Sequence, residues 1–198
     1  MAHRELHRPA PGGKAKVLRM VTAAALVVLA LASLHAALPV QARAEAPQEY
    51  QIKAAFLYNF AKFVEWPAGA FRDSQSPLLV CVLGKDPFGE ALDTLRDKTV
   101  EGRKIQVRRI ARVEDAEGCH ILFVSSSERE DLSRSLKAVR GKSILTVGDM
   151  KGFTQAGGII NLTLTEGKIS FEINMAASER ASLKISSKLL KLGRVVRE

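Results

Sequence analysis

Leu78-Leu-Val-Cys-Val-Leu83 runs directly into Gly84-Lys-Asp-Pro-Phe88. Six apolar residues in a row, without polar alternation, describe a strand covered on both faces, as inner strands of a parallel sheet are. Gly84 suits a tight turn. Asp86 as N-cap and Pro87 in the first turn then open a helix to about Arg96. Strand, turn and helix in that order is the repeating unit of an α/β fold.

The chain downstream repeats the unit. Lys104–Ile110 alternates (K-I-Q-V-R-R-I), a strand with one apolar face, and Cys119–Val124 (C-H-I-L-F-V) is a second strand of the buried type. Ser127 and Glu130 form a capping box for a helix to about Val139, Gly141 ends it, and Ser143–Val147 is the next strand. Upstream, Tyr50–Val64 has apolar residues at 52, 56, 60 and 63, the period of an amphipathic helix. Pro67 closes it, and residues 71–77 make a polar link. The C-terminal third differs. Ile159–Leu164 and Lys168–Ile173, joined by Thr165-Glu-Gly167, read as an antiparallel hairpin, and breaking the parallel pattern places it at the sheet edge. Asn174 caps a last helix through Leu192, with Ala181, Ile185, Leu189 and Leu192 on one face. The expected fold is three-layer α/β: a mostly parallel sheet flanked by helices, with a C-terminal antiparallel hairpin.

Residues 1–44 read as a cleavable signal peptide rather than as part of this fold. Arg4, Arg8, Lys14, Lys16 and Arg19 precede the apolar run Met20–Leu34, Pro39 breaks it, and Ala42-Arg-Ala44 is a small-residue cleavage site. The run is shorter than the roughly 20 residues of a spanning helix. The expected mature chain, 45–198, is one domain in the periplasm. Of 30 Lys and Arg and 21 Asp and Glu, six bases and one acid lie before residue 45, so 24 and 20 remain, a net charge of +4. That mildly basic, well-mixed surface has no basic stripe with interleaved aromatics, which argues against nucleic-acid binding.

His120 is the only histidine after residue 44, inside the apolar run 119–124, and reads as a strand histidine hydrogen-bonded locally. With two scattered cysteines it makes no zinc set, and no metal is expected. Cys81 and Cys119, an even pair in an oxidising compartment, read as a disulfide, the alternative being two buried thiols.

Motifs for chemistry are weak. Gly152-Phe-Thr-Gln-Ala-Gly-Gly158 is the best phosphate cradle, yet it lacks the G-K-[ST] ending, and a strand follows where a helix should. Gly84, Asp86 and Phe88 mark a turn at the carboxyl end of a strand, where α/β proteins bind ligands. No G-x-S-x-G elbow exists, and Glu65, Asp86, Asp149 and Glu172 stand far apart in sequence. Neither an enzyme nor a cofactor is expected.

The chain resembles the YfiR family of periplasmic regulators over essentially all of residues 45–198. The resemblance is carried by Lys53-Ala-Ala-Phe-Leu-Tyr-Asn-Phe-Ala-Lys-Phe-Val-Glu-Trp-Pro67, Cys81-Val-Leu-Gly-Lys-Asp-Pro-Phe88 and Cys119-His-Ile-Leu-Phe-Val-Ser125. It continues through Gly157-Gly-Ile-Ile-Asn161, Ile169-Ser-Phe-Glu-Ile-Asn174 and Ile185-Ser-Ser-Lys-Leu-Leu-Lys-Leu192. It implies a homodimeric repressor acting on the periplasmic domain of an inner-membrane diguanylate cyclase (YfiN-like), relieved by an outer-membrane lipoprotein (YfiB-like). The output would be cyclic-di-GMP level, and with it biofilm formation. The family's namesake has two disulfides. This chain keeps one pair, with Thr154 and Asn161 near where the second would fall.

Two functions follow. One is the repressor, its partner surface expected around Gln155, Glu172 and Arg180, at the hairpin edge and the start of the last helix. The other is a periplasmic small-molecule sensor using Gly84–Phe88 and acting on another membrane receptor.

Overall fold

Residues whose apolar runs show no alternation end up between two layers, and they set the architecture. The computed structural model describes residues 42–196. The leader expected over 1–44 therefore lies, up to residue 41, outside the described residues. In chain order the elements are α1 (Ala42–Phe63), β1 (Val64–Glu65), β2 (Leu78–Leu83), β3 (Thr99–Val100), β4 (Arg103–Ile110), β5 (Ile121–Val124) and α2 (Leu132–Val139). There follow β6 (Leu145–Gly148), β7 (Ile160–Thr165), β8 (Lys168–Asn174), α3 (Met175–Arg180), β9 (Lys184–Ile185), α4 (Ser187–Leu192) and β10 (Arg194–Val196).

Eight strands form one sheet in the order β10-β8-β7-β6-β5-β2-β4-β3. From β4 to β7 every pairing is parallel, and β7 and β8 form the antiparallel hairpin. Glu166 and Gly167 both have positive φ (51° and 73°), as a two-residue hairpin turn requires. Successive residues of β2 and β5 serve opposite faces. Val80, Val82, Ile121 and Phe123 pack with α1, while Cys81, Leu83, Leu122 and Val124 pack with Leu136 and Val139 of α2. The fold is the expected three-layer α/β.

Several local readings change. The buried apolar stripe of α1 is Ala54, Leu57, Phe60 and Ala61, and Ile52 is 44% exposed. Alanines let the helix lie close to the sheet, so the stripe follows small residues as well as large ones. The helix expected from Asp86 is a short 3-10 stretch, Gly89–Leu95, because Gly89 takes φ +54° and interrupts the first turn. The Ser127–Glu130 capping box does not form. Ser127 Oγ instead accepts the Lys85 N–H at 2.9 Å, and α2 starts later, after Asp131. The last helix is two helices: Ser182 turns at φ +57°, and Lys184–Ile185 leave to pair with β1. Asn174 does cap the first of them, accepting the Ala177 N–H at 2.9 Å. Leu192, expected on the buried face, is 72% exposed. Finally, the hairpin is not the sheet edge. β10 pairs in parallel with β8, Arg194 opposite Glu172, and covers it.

Candidate functional site

Gly84, Asp86 and Phe88 form a turn whose groups are engaged within the chain. A Cβ on Gly84 would meet Ser127 Oγ at 2.4 Å. Asp86 accepts the Phe88 N–H at 2.8 Å and holds the Arg109 guanidinium at 2.6 Å. Phe88 is core, edge-on to Tyr50 and Phe123. The glycine-rich loop 152–158 has a similar internal purpose. The Phe153 ring fills the space where a Cβ of Gly148 or Gly158 would stand, at 2.5 and 2.2 Å. Those two glycines accommodate a ring, and a phosphate is not needed to explain them.

Cys81 and Cys119 are joined in a disulfide, Cα atoms 6.0 Å apart, because β2 and β5 are adjacent. His120 sits beside it at the foot of β5. Its Nδ1 accepts the Leu79 backbone N–H at 3.1 Å, and its Nε2 lies 3.1 Å from the Ala70 carbonyl, which makes Nε2 the protonated nitrogen. Its ring stacks on Phe71 at 4.1 Å. Burial holds its pKa below the ordinary histidine value, and the nearby Arg103 charge acts in the same direction against the Ala70 bond.

The main polar cluster went unread in the sequence. Lys53 of α1, buried with its stripe, reaches Asp149 at 2.5 Å and Glu49 at 2.5 Å. Tyr50 donates its hydroxyl to the same Asp149 oxygen at 2.8 Å. Burial, and then the Asp149 charge, push the Tyr50 phenol above its ordinary range. The signal was present: Lys53 is spaced four residues from Leu57 and seven from Phe60, a lysine on an apolar stripe.

This cluster forms one wall of a groove of about 770 Å³ whose other residues include Asn161, Leu164, Glu172 and Arg194. Glu172 faces away from buried Phe171 and Ile173, as strand alternation requires, but it is not a free surface charge. Its carboxylate is paired with Arg194 of β10 and accepts the Thr154 hydroxyl at 3.1 Å, leaving the side chain 13% exposed. Gln155 lies on the rim of this groove and also on a separate depression of about 300 Å³ between α2 and α3, where Arg180 and Arg140 stand. The structure thus brings Gln155 and Arg180 together, and Glu172 and Gln155 together. Among the described residues no group of three His, Cys, Asp or Glu is placed to hold a metal, and no helix is long and apolar enough to cross a membrane.

Fold and site together describe an α/β protein that offers grooves and a surface depression. The chain belongs to the YfiR/HmsC-like family, whose model matches residues 50–194. The family is one of periplasmic regulatory proteins and is not a catalytic one. A conserved domain protein of Vibrio cholerae O1 biovar eltor, known from a crystal structure, has a similar fold: TM-score 0.50, 12% identity, 75% of this chain covered. The chain spans 60% of the length of that protein. At that identity the likeness speaks for the fold alone.

Proposed function

We propose that this protein is a non-enzymatic periplasmic repressor. It binds the periplasmic domain of an inner-membrane diguanylate cyclase, lowers cyclic-di-GMP synthesis, and is drawn off by an outer-membrane lipoprotein. The observation that carries the reading is membership of the YfiR/HmsC-like family across residues 50–194. In this reading residues 1–44 are removed on export, residues 45–198 act as one domain, and the working form is a homodimer. The depression lined by Lys137, Arg140, Gln155 and Arg180 is the proposed cyclase contact, its basic rim suited to carboxylates of a partner. Glu172 drops out of that contact: its carboxylate is committed to Arg194 and Thr154.

Affinity purification of the protein from detergent-solubilised membranes, with identification of the co-purifying cyclase, tests the reading directly. Deleting the gene should raise cellular cyclic-di-GMP, and Arg180→Glu should reproduce the rise with a folded protein. Unchanged cyclic-di-GMP after deletion would remove the repressor reading.

A further inference from the structure

The ladder between β6 and β7 is shorter than the one between β7 and β8. β8 pairs with all six residues of β7, whereas β6 stops at Gly148, opposite Asn161. In an antiparallel ladder alternate residues turn their N–H and C=O to opposite sides. The Asn174 N–H bonds the Ile159 carbonyl, so residues 159, 161, 163 and 165 face β8, and Leu162 and Leu164 face the other way. The parallel register at Gly148 and Asn161 uses the Leu162 N–H. The Leu162 C=O and both backbone groups of Leu164 are then left without a strand partner from β6 or β8, on residues that line the groove. Leu164 is also one of the few large apolar residues that are exposed, at 52%.

A second observation falls in the same groove. Asn161 is 3% exposed, and its side-chain Oδ1 is buried without a hydrogen-bond partner. Such orphaned acceptors are uncommon and call for a donor. Asn161 lines the groove together with Leu162, Thr163, Leu164 and Thr165, and strand alternation turns its side chain to the face of Glu172, opposite the one that packs on α1.

We propose that this groove is a peptide-binding site: an extended segment of another protein adds to the sheet along Leu162–Thr165, continuing past the end of β6. Unpaired backbone C=O, N–H and C=O in sequence along a strand are the complement of another extended backbone, and walls on both sides select alternate side chains. The segment carries a hydrogen-bond donor side chain (Ser, Thr, Asn or Lys) against Asn161 Oδ1. A second copy of this chain is a poorer occupant. It would have to bring one of its sheet edges, β3 or β10, of two and three residues, into a slot flanked by α1.

The test is fluorescence anisotropy of the purified protein with a position-scanning library of labelled, end-blocked octapeptides. Saturable binding is expected for sublibraries with Ser, Thr, Asn or Lys fixed at one position. Leu164→Pro removes the outward N–H without touching a β8 bond and should weaken binding about tenfold or more at unchanged Tm. Asn161→Leu should abolish the donor preference while Tm holds or rises, since an orphan acceptor is removed. If Leu164→Pro does not fold, Asn161→Leu alone decides. No saturable binding by any sublibrary, or binding that both variants retain, overturns the proposal. So does a dimer that Leu164→Pro converts to monomer in sedimentation, which would assign the edge to a second copy.

Discussion

The Lys53 ammonium lies 2.5 Å from the Asp149 carboxylate, and the two side chains are 4% and 5% exposed. Helix α1 is thereby fastened to the residue that follows β6. Removing one member of a buried ion pair leaves an uncompensated charge, which costs about 3–5 kcal/mol. Glu49, also 2.5 Å from the Lys53 ammonium, keeps part of the compensation, so Asp149→Leu should lose stability toward the lower end of that range in urea unfolding. The double variant Lys53→Met/Asp149→Leu should recover most of the loss, because replacing both partners by apolar groups is often near neutral. A double variant no more stable than the single one would show that the pair is not the origin of the loss.

The disulfide closes a loop with a sequence separation of 38, for which chain entropy gives about 4 kcal/mol. Cys81→Ala/Cys119→Ala is expected to unfold at clearly lower denaturant than the oxidised protein. The reductant sensitivity of the parent should vanish in the double variant. Non-reducing peptide mass spectrometry checks the pairing itself.

Gly158→Ala places a methyl 2.2 Å from a Phe153 ring carbon. Phe153 is fully buried, so the ring must shift within the core, at a cost of about 1–3 kcal/mol. Combining the substitution with Phe153→Leu should lessen that cost, as thermal unfolding of the three variants will show.

His120 gives the fold an acid dependence. Its pKa in the folded state is below the unfolded value near 6.5. Between the two values the unfolded chain binds the extra proton, so this contribution is complete above about pH 6.5 and is lost as pH falls through the lowered folded value. Stability measured from pH 7.5 to 5.5 should decline for the parent. His120→Phe, less stable throughout because the Leu79 N–H loses its acceptor, should decline less steeply.

The inner strands were legible because apolar runs such as Leu78–Leu83 admit few readings, and the hairpin because Glu166-Gly167 matches its turn. What failed had local signals overruled by distant ones. Ile185 looked helical from its spacing to Ala181 and Leu189, yet its backbone pairs with Val64. Ser127 looked like a helix cap, yet its hydroxyl is claimed by Lys85. Glu172 looked like a surface charge because nothing in the hairpin shows that Arg194 returns as a further strand. The Lys53–Asp149 pair joins residues with no sequence relationship. Only the placement of lysine on an apolar stripe hinted at it.

The two-stranded ribbon of β1 and β9 has a consequence for the order of folding. Val64 follows directly from the first helix of the described chain, and its partner Ile185 lies close to the other end. On a chain made from the N-terminus, α1 is available early, but the ribbon that secures its end cannot close until nearly all the rest has emerged. Contacts this distant in sequence slow folding, since the loop must be closed before the pairing gives any return. A nascent chain cut short before Lys184 would lack the partner for β1. Premature termination near the C-terminus should therefore expose Phe63 to Trp66, distant in sequence from the cut, to proteolysis.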